Sequence, residues 1–428
     1  MKRVLIISPY FPPVNAADMQ RVRMSLPYFN HFGWVAEVAA VEPRYTDMVK
    51  DELLLKSLPA DVKVHWVSAW SKRWTSKLGL GSIALRSLWF YYKGVNRILR
   101  NGHFDLVYFS TTQFPVCILG ACWKRRFDIP YVIDLQDPWH SGYYRDKPRS
   151  QRPPKYWFSY RLNKFLEPIA MRKTDGLIGV SADYLQDIRA RYPQTRRIPS
   201  RTITFGSFAP DLHIAQQNKA LFPPLLENGM VNIVYVGRGG EDMHTATVPL
   251  FQALRTALTA DPERYGKVRL HFIGTSYAPE GKGRQTIFPL AQRFGLEDYV
   301  TEIPGRVSFY HALLTLQEAD ALFIPGSDDA KYTASKIYPY VLAGRPLLAI
   351  FHPDSSAIPI LREYGVKDVL SFDEVRTERV GAFLAEVCGG TASAPRYQAA
   401  VIKKYAAENM THEQCLLFDQ VLAERRDR

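Results

Sequence analysis

With 428 residues, 46% of them hydrophobic and 23% charged, the chain is too long for one hydrophobic core and too apolar for disorder. Two domains of roughly 150 to 200 residues each are expected, and the sequence holds no low-complexity tract or internal repeat that would suggest a fibrous or solenoid architecture. The net charge of +13 is unevenly divided: residues 1–210 carry 32 Lys and Arg against 16 Asp and Glu, the remainder 23 against 26. The first half therefore has either a solubilising surface or one that faces an anionic membrane, a lipid phosphate or nucleic acid.

The chain opens with "MKRVLIISPYFPP". Its apolar run is shorter than the roughly 7 to 15 residues of a signal-peptide core, and prolines follow where a cleavage site would lie, so it reads as a first β-strand. Apolar runs rich in β-branched residues then recur between longer amphipathic stretches: 4–8, 36–41, 62–69, 106–110, 131–136, 176–181 and 202–206. Such alternation predicts parallel βαβ units with strands buried on both faces. A polar, proline-containing stretch at 206–229 reads as a linker, after which a second series begins at 231–237, 268–274, 300–305, 321–326 and 346–351. Two Rossmann-like doubly wound domains are predicted, 1–205 and 230–390, facing a cleft at the carboxyl ends of their strands. Residues 391–428 show apolar positions at helical spacing and are expected to pack back across the domain junction.

The segment "GSIALRSLWFYY" is interrupted by Arg86 and too short to span a bilayer. Cys117, Cys122, Cys388 and Cys415 form no CxxC pair and no zinc spacing, which fits a reduced, cytoplasmic chain. Basic and aromatic residues interleave at 70–100 and 143–165. That composition suits a membrane interface, single-stranded nucleic acid, or, for part of the aromatics, core packing.

Three stretches carry candidate chemistry. "IVYVGRGGEDMHT" runs from a strand into Gly237, Arg238, Gly239 and Gly240 and then a helix, a layout in which backbone amides and a guanidinium can cradle a diphosphate. A tight turn with a surface arginine is the plainer reading. "DLQDPWH" sets Asp134, Asp137 and His140 at the end of a parallel strand, where a carboxylate or imidazole can orient or deprotonate a hydroxyl; alternatively Asp137 caps the turn before Pro138. Two Asp and one His without a second cluster make a poor metal site, and none is expected. Arg21 lies one turn into the helix after the first loop, facing either the cleft or solvent.

From "TEIPGRVSFYHALL" through "ADALFIPGSDDAKYTASKIYPYVLAGRPLLAI" the second half resembles the C-terminal domain of GT-B glycosyltransferases of the family-4 type, which follow a similar order of "GR", a "GxV" turn, and "SKIxEYLAAGKP". The first half is similar too: "SPYFPPVNAADMQR" looks like the family opening, and "DLQDPW" like the "DLRDPW" of a bacterial branch. The resemblance covers residues 1 to about 390. It implies a metal-independent hexosyltransferase, retaining configuration, that needs no cofactor beyond its nucleoside-diphosphate sugar substrate. Arg238, Gly239, Gly240, Ser335 and Lys336 would bind the diphosphate, the Arg306–Val307 turn would face the base, and Asp137, His140 and Asp134 would serve the acceptor.

The acceptor is expected to be a lipid-linked or cell-envelope glycan of polysaccharide biosynthesis, met at the inner membrane face by a peripheral protein. An anionic membrane surface is then a further partner, and nucleic acid is not. Two departures stand out. The family's spaced glutamates fall here on Lys331 and Pro339; Asp328 and Asp329, just upstream, either form a solvated acidic loop or supply a carboxylate instead. Asn15, Ala16 and Ala17 with Asp18 replace a glycine pair, where a positive φ would be costly. An epimerase or phosphorylase of the same fold, or a silent binding or scaffold protein, are the alternative functions.

Overall fold

The computed structural model describes residues 1–75, 81–140, 145, 148, 149, 152, 156–276, 281–330 and 337–426. The chain divides into two compact units, residues 1–206 with 405–428, and residues 207–404.

The first unit is built on a seven-stranded parallel sheet of β1 (Lys2–Ile7), β2 (Trp34–Val41), β3 (Lys63–Val67), β4 (Leu106–Ser110), β5 (Tyr131–Leu135), β6 (Gly176–Gly179) and β7 (Ser200–Thr202), in the order β3-β2-β1-β4-β5-β6-β7. The central strands β4, β5 and β6 are buried at every position, which is why they read as unbroken apolar runs. On one face, Ile133 and Leu135 of β5 join Val107, Phe109, Trp123 and the helix Ile83–Asn101 in one hydrophobic layer. Tyr108 lies on the other face, with its ring 5.1 Å from that of Phe418. Phe418 belongs to the terminal helix Ala407–Arg426, and it also packs on Phe29 and Trp34. Fully burying such a side chain contributes roughly 1.5–3 kcal/mol, and Gly206 permits it locally, since a Cβ there would lie 2.8 Å from the Ala407 backbone.

The second unit carries a six-stranded parallel sheet of β8 (Val231–Val236), β9 (Val268–Ile273), β10 (Val300–Ile303), β11 (Ala321–Pro325), β12 (Leu347–Phe351) and β13 (Asp368–Ser371), ordered β10-β9-β8-β11-β12-β13. Both sheets reverse direction of winding once, between β1 and β4 and between β8 and β11. Those switch points are where strand-end loops diverge and open sheets bind ligands.

Three differences from the sequence reading have local causes. The 206–229 stretch contains a helix, Ala209–Gln217, and from residue 207 belongs to the second unit, where Tyr310 donates to Asp211 at 3.2 Å. Strand β7 begins two residues before the predicted run. Strand β13 is absent from the prediction because it has four residues and begins on the charged Asp368 at a sheet edge.

Candidate functional site

In the first unit, the loop after β1 reaches the switch point. Asn15 donates its N–H to the Val49 carbonyl at 2.8 Å, and Ala16 is extended at φ −123°, so this loop needs no positive φ. Ala16 is buried and Ala17 exposed. Asp18 is buried and accepts from Thr111 Oγ1 at 2.8 Å, from the Thr112 N–H at 3.2 Å and from Thr112 Oγ1 at 3.3 Å. These bonds fasten the loop to the end of β4. Burial pushes the Asp18 carboxyl above its usual range despite those donors.

Arg21 faces neither a cleft nor solvent. Its side chain is fully buried, with Nε 2.8 Å from Asp134 Oδ2, Nη2 donating to the Ile203 carbonyl at 2.7 Å, and the guanidinium over the Phe205 ring. Asp134 is equally buried and also accepts from Ser110 Oγ at 2.9 Å and Gln136 Nε2 at 2.8 Å. The expectation that Asp134 meets a substrate is therefore not met. As a residue inside β5, opposite Ser110 of β4 and Ile178 of β6, it points into the layer that holds Arg21, and a buried carboxylate is tolerable there because its counter-ion is in place.

Asp137 lies two residues beyond β5 and is exposed. Desolvation by the protein that surrounds it, together with the field of Asp18, raises its carboxyl to about 6. His140 is partly buried. Arg191 Nη1 donates to His140 Nδ1 at 2.8 Å, to the His140 carbonyl at 2.9 Å and to Glu167 Oε2 at 2.6 Å. Burial first, then Arg191 and Lys164, hold the imidazole below its ordinary range.

In the second unit, β8 runs into Gly237, whose N–H bonds the Ile273 carbonyl at 2.8 Å. The half-buried Arg238 follows, its two Nη groups donating to the two Asp242 oxygens at 3.0 and 2.6 Å. Ser327 Oγ donates to Asp242 Oδ2 at 2.7 Å, and the Asp328 N–H to the Asp242 carbonyl at 2.9 Å, which joins the loops after β8 and β11 at the switch point. Burial would raise the Asp242 carboxyl, but the bonds from Arg238 and Ser327 outweigh it and leave it low.

The glycines serve this clamp. A Cβ on Gly240 would lie 2.3 Å from Asp242 Oδ1, and one on Gly239 2.8 Å from Thr275 Cβ. Tyr340 secures the strand end by accepting from the Val236 N–H at 2.6 Å and donating to its carbonyl at 3.0 Å. Asp242, Ser327 and Tyr340 escape the sequence reading, although the i, i+4 spacing of Arg238 and Asp242 is a legible signal.

Arg306, exposed, and Val307, half-buried, stand after β10, two strands away from β8. Ser335, Lys336 and Lys331 lie outside the described residues. Pro339 falls in the first turn of the helix Ile337–Leu342, where its missing N–H has no intrahelical acceptor to lose. Asp328 is exposed. Among the described residues no group of three His, Cys, Asp or Glu is arranged to hold a metal ion, and no helix is long and apolar enough to cross a membrane.

Residues 57–203 match the model of Glycosyltransferase Family 4. No curated protein matches the chain in sequence. Among solved structures, the chain is similar to sucrose-phosphate synthase (tll1590) from Thermosynechococcus elongatus, with a TM-score of 0.63 at 13% identity over 99% of this chain and 100% of that one. It is similar to Anabaena Alr3699/HepE in complex with UDP and glucose, at 0.57 and 15% over 98% and 100%. A UDP-forming α,α-trehalose-phosphate synthase from Burkholderia xenovorans follows, at 0.56 and 11% over 98% and 99%. At such identities the likeness is one of fold, and it extends over the full length. The chain thus has the GT-B fold of glycosyltransferases, with a family-4 match in its first unit.

Proposed function

We propose that the protein is a retaining glycosyltransferase that moves a hexose from a nucleoside diphosphate to a lipid-linked or cell-envelope glycan, without a metal. The observation that carries this reading is Arg238, a guanidinium held in place by Asp242 yet only half-buried at the switch point of the second sheet. A guanidinium is always charged and presents its donors in a planar fork, which suits a diphosphate. As the bond between the anomeric carbon and the diphosphate breaks, negative charge grows on the leaving group, and a preoriented cation stabilises that charge most at the transition state. Lys336, which the family resemblance assigns to the diphosphate, is the second proposed cation.

Acceptor chemistry is assigned to the first unit. Asp137 is accessible and has its carboxyl near neutrality, so it can accept the proton of an attacking hydroxyl. The structures similar to this chain include one with UDP and glucose bound, which supports a nucleotide sugar as the donor class. Thermal-shift screening of UDP- and GDP-sugars tests the reading: a ligand at about 100 times its Kd adds about 2.7 kcal/mol of stability. Absence of any stabilised pair, together with absence of donor hydrolysis, would refute it.

The acceptor class rests on the surface of the first unit. Trp74, Trp157 and Phe165 are 71%, 65% and 69% exposed, and Lys93 and Arg161 lie over the rings of Trp89 and Trp157. Tyr91 of the same stretch is buried, so core packing accounts for part of the aromatic content. Exposed rings beside cations suit the headgroup region of an anionic membrane, which a cytoplasmic protein would meet at the inner leaflet. Cosedimentation with phosphatidylserine-containing vesicles is expected, and it should be lost on replacing Trp74, Trp157 and Phe165 by Ser. Indifference of the parent protein to these vesicles would remove the membrane from the proposal.

A further inference from the structure

The sequence offers His140, with Asp137, to orient or deprotonate a hydroxyl, and its surroundings separate these two roles. The imidazole is met by groups from two helices. Tyr156–Met171 supplies Tyr160, whose ring centroid is 4.6 Å away, together with Lys164 and the fully buried Glu167. Ala182–Arg191 supplies Arg191 at its end. Arg191 Nη1 shares its two hydrogens among His140 Nδ1, the His140 carbonyl and Glu167 Oε2. Glu167 in turn accepts from Tyr192 Oη at 2.7 Å, so the guanidinium is anchored by a buried carboxylate that is itself held.

A guanidinium can only donate, so Nδ1 must offer its lone pair and the ring's single proton must sit on Nε2. That Nε2 is out of solvent and has no hydrogen-bond partner among the described residues. A buried N–H without an acceptor is unfavourable, so this one gains from any oxygen brought to it.

We propose that Arg191 is a positioning residue that fixes His140 as the Nε2–H tautomer, so that His140 donates a hydrogen bond to a hydroxyl or other oxygen of the bound sugar substrate while Asp137 alone takes the proton. This rests on the transferase reading for the identity of the ligand, though not for the tautomer. Nδ1 is occupied by the guanidinium and Nε2 already carries its proton, so neither nitrogen is available as a base.

The test is nitrogen-15 NMR of the histidine-labelled full chain, with the His140 signal assigned by its loss in His140→Gln. At neutral pH the expected pattern is an unprotonated Nδ1 and a protonated Nε2; a protonated Nδ1 would overturn the proposal. In Arg191→Gln, and in the double variant Arg191→Gln/Glu167→Gln that avoids stranding a buried carboxylate, His140 should populate both tautomers. It should also titrate closer to the ordinary imidazole value of about 6.5. An unchanged tautomer in the folded double variant would refute the role of Arg191.

Turnover of the double variant is expected to fall about tenfold, the size of one lost hydrogen bond, with nucleotide Kd unchanged. Loss of nucleotide affinity instead would place the network in binding and refute the positioning role. If no nucleotide sugar is bound or hydrolysed by the parent protein, the transferase reading fails while the tautomer result stands on its own.

Discussion

Each unit pairs an arginine that follows its first strand with an aspartate, and the two pairs have opposite characters. In the first unit Arg21 and Asp134 are both fully buried, and the guanidinium also donates to the Ile203 and Thr204 carbonyls. In the second, Arg238 and Asp242 keep about a quarter of their side-chain surface exposed, and the fork donates to both Asp242 oxygens. The same chemical couple therefore acts as a structural strut in one sheet and as an oriented cation near solvent in the other. Burial makes the difference, because it raises the cost of parting the ions and closes the path to a ligand.

Replacing each arginine separates these roles. Arg21→Ala leaves the Asp134 carboxylate buried without its cation, and a loss of about 3–5 kcal/mol is expected in denaturant unfolding. Arg21→Met with Asp134→Leu should recover most of that loss, since an apolar pair of similar volume removes the stranded charge.

Asp137→Asn comes next in size, with turnover expected to fall about 100-fold, as for removal of a proton acceptor. Wild-type turnover should rise with pH through about 6, where Asp137 ionises. The stability consequence has the opposite sign to that of a salt-bridged aspartate. With its folded value raised above the ordinary 3.8, the native state holds the extra proton, and stability falls as pH climbs from near 4 to near 6. Asp137→Asn should therefore be no less stable than wild type at neutral pH, and a lower Tm for it would contradict the raised carboxyl.

Arg238→Ala is expected to weaken nucleotide-sugar binding in calorimetry by about 1.5–3 kcal/mol, the worth of a hydrogen bond to a charged group. Its stability should change by less than about 1 kcal/mol, because a part-exposed i, i+4 pair contributes little. If Arg238→Ala unfolded the second unit as readily as Arg21→Ala unfolds the first, the contrast between the two pairs would be broken.

Much of the fold is legible along the chain because strands buried on both faces need continuous apolar runs. All seven strands predicted in the first unit and all five predicted in the second correspond to observed ones, although β7 is displaced. The edge strand β13 escapes because a short strand beginning on Asp368 is not distinguished from a loop by its side chains. In "DLQDPWH" the sequence offers Asp134 and Asp137 as equals. The β5 pleat separates them: Asp134 lies within the ladder opposite Ser110, while Asp137 comes after it has ended.

By itself, the amino-acid order determined two parallel-sheet units and set a glycine-rich turn after β8, since periodicity and the absence of a Cβ are local properties. Tertiary structure alone decided which charged groups keep their water. Arg21 was drawn into the interior by Asp134, and His140 was fixed in one tautomer by an arginine 51 residues later. Arg238 was left at the surface of its sheet's switch point. These outcomes depend on partners brought together from distant parts of the chain, and on the energy of removing charge from water, which no single stretch of sequence encodes.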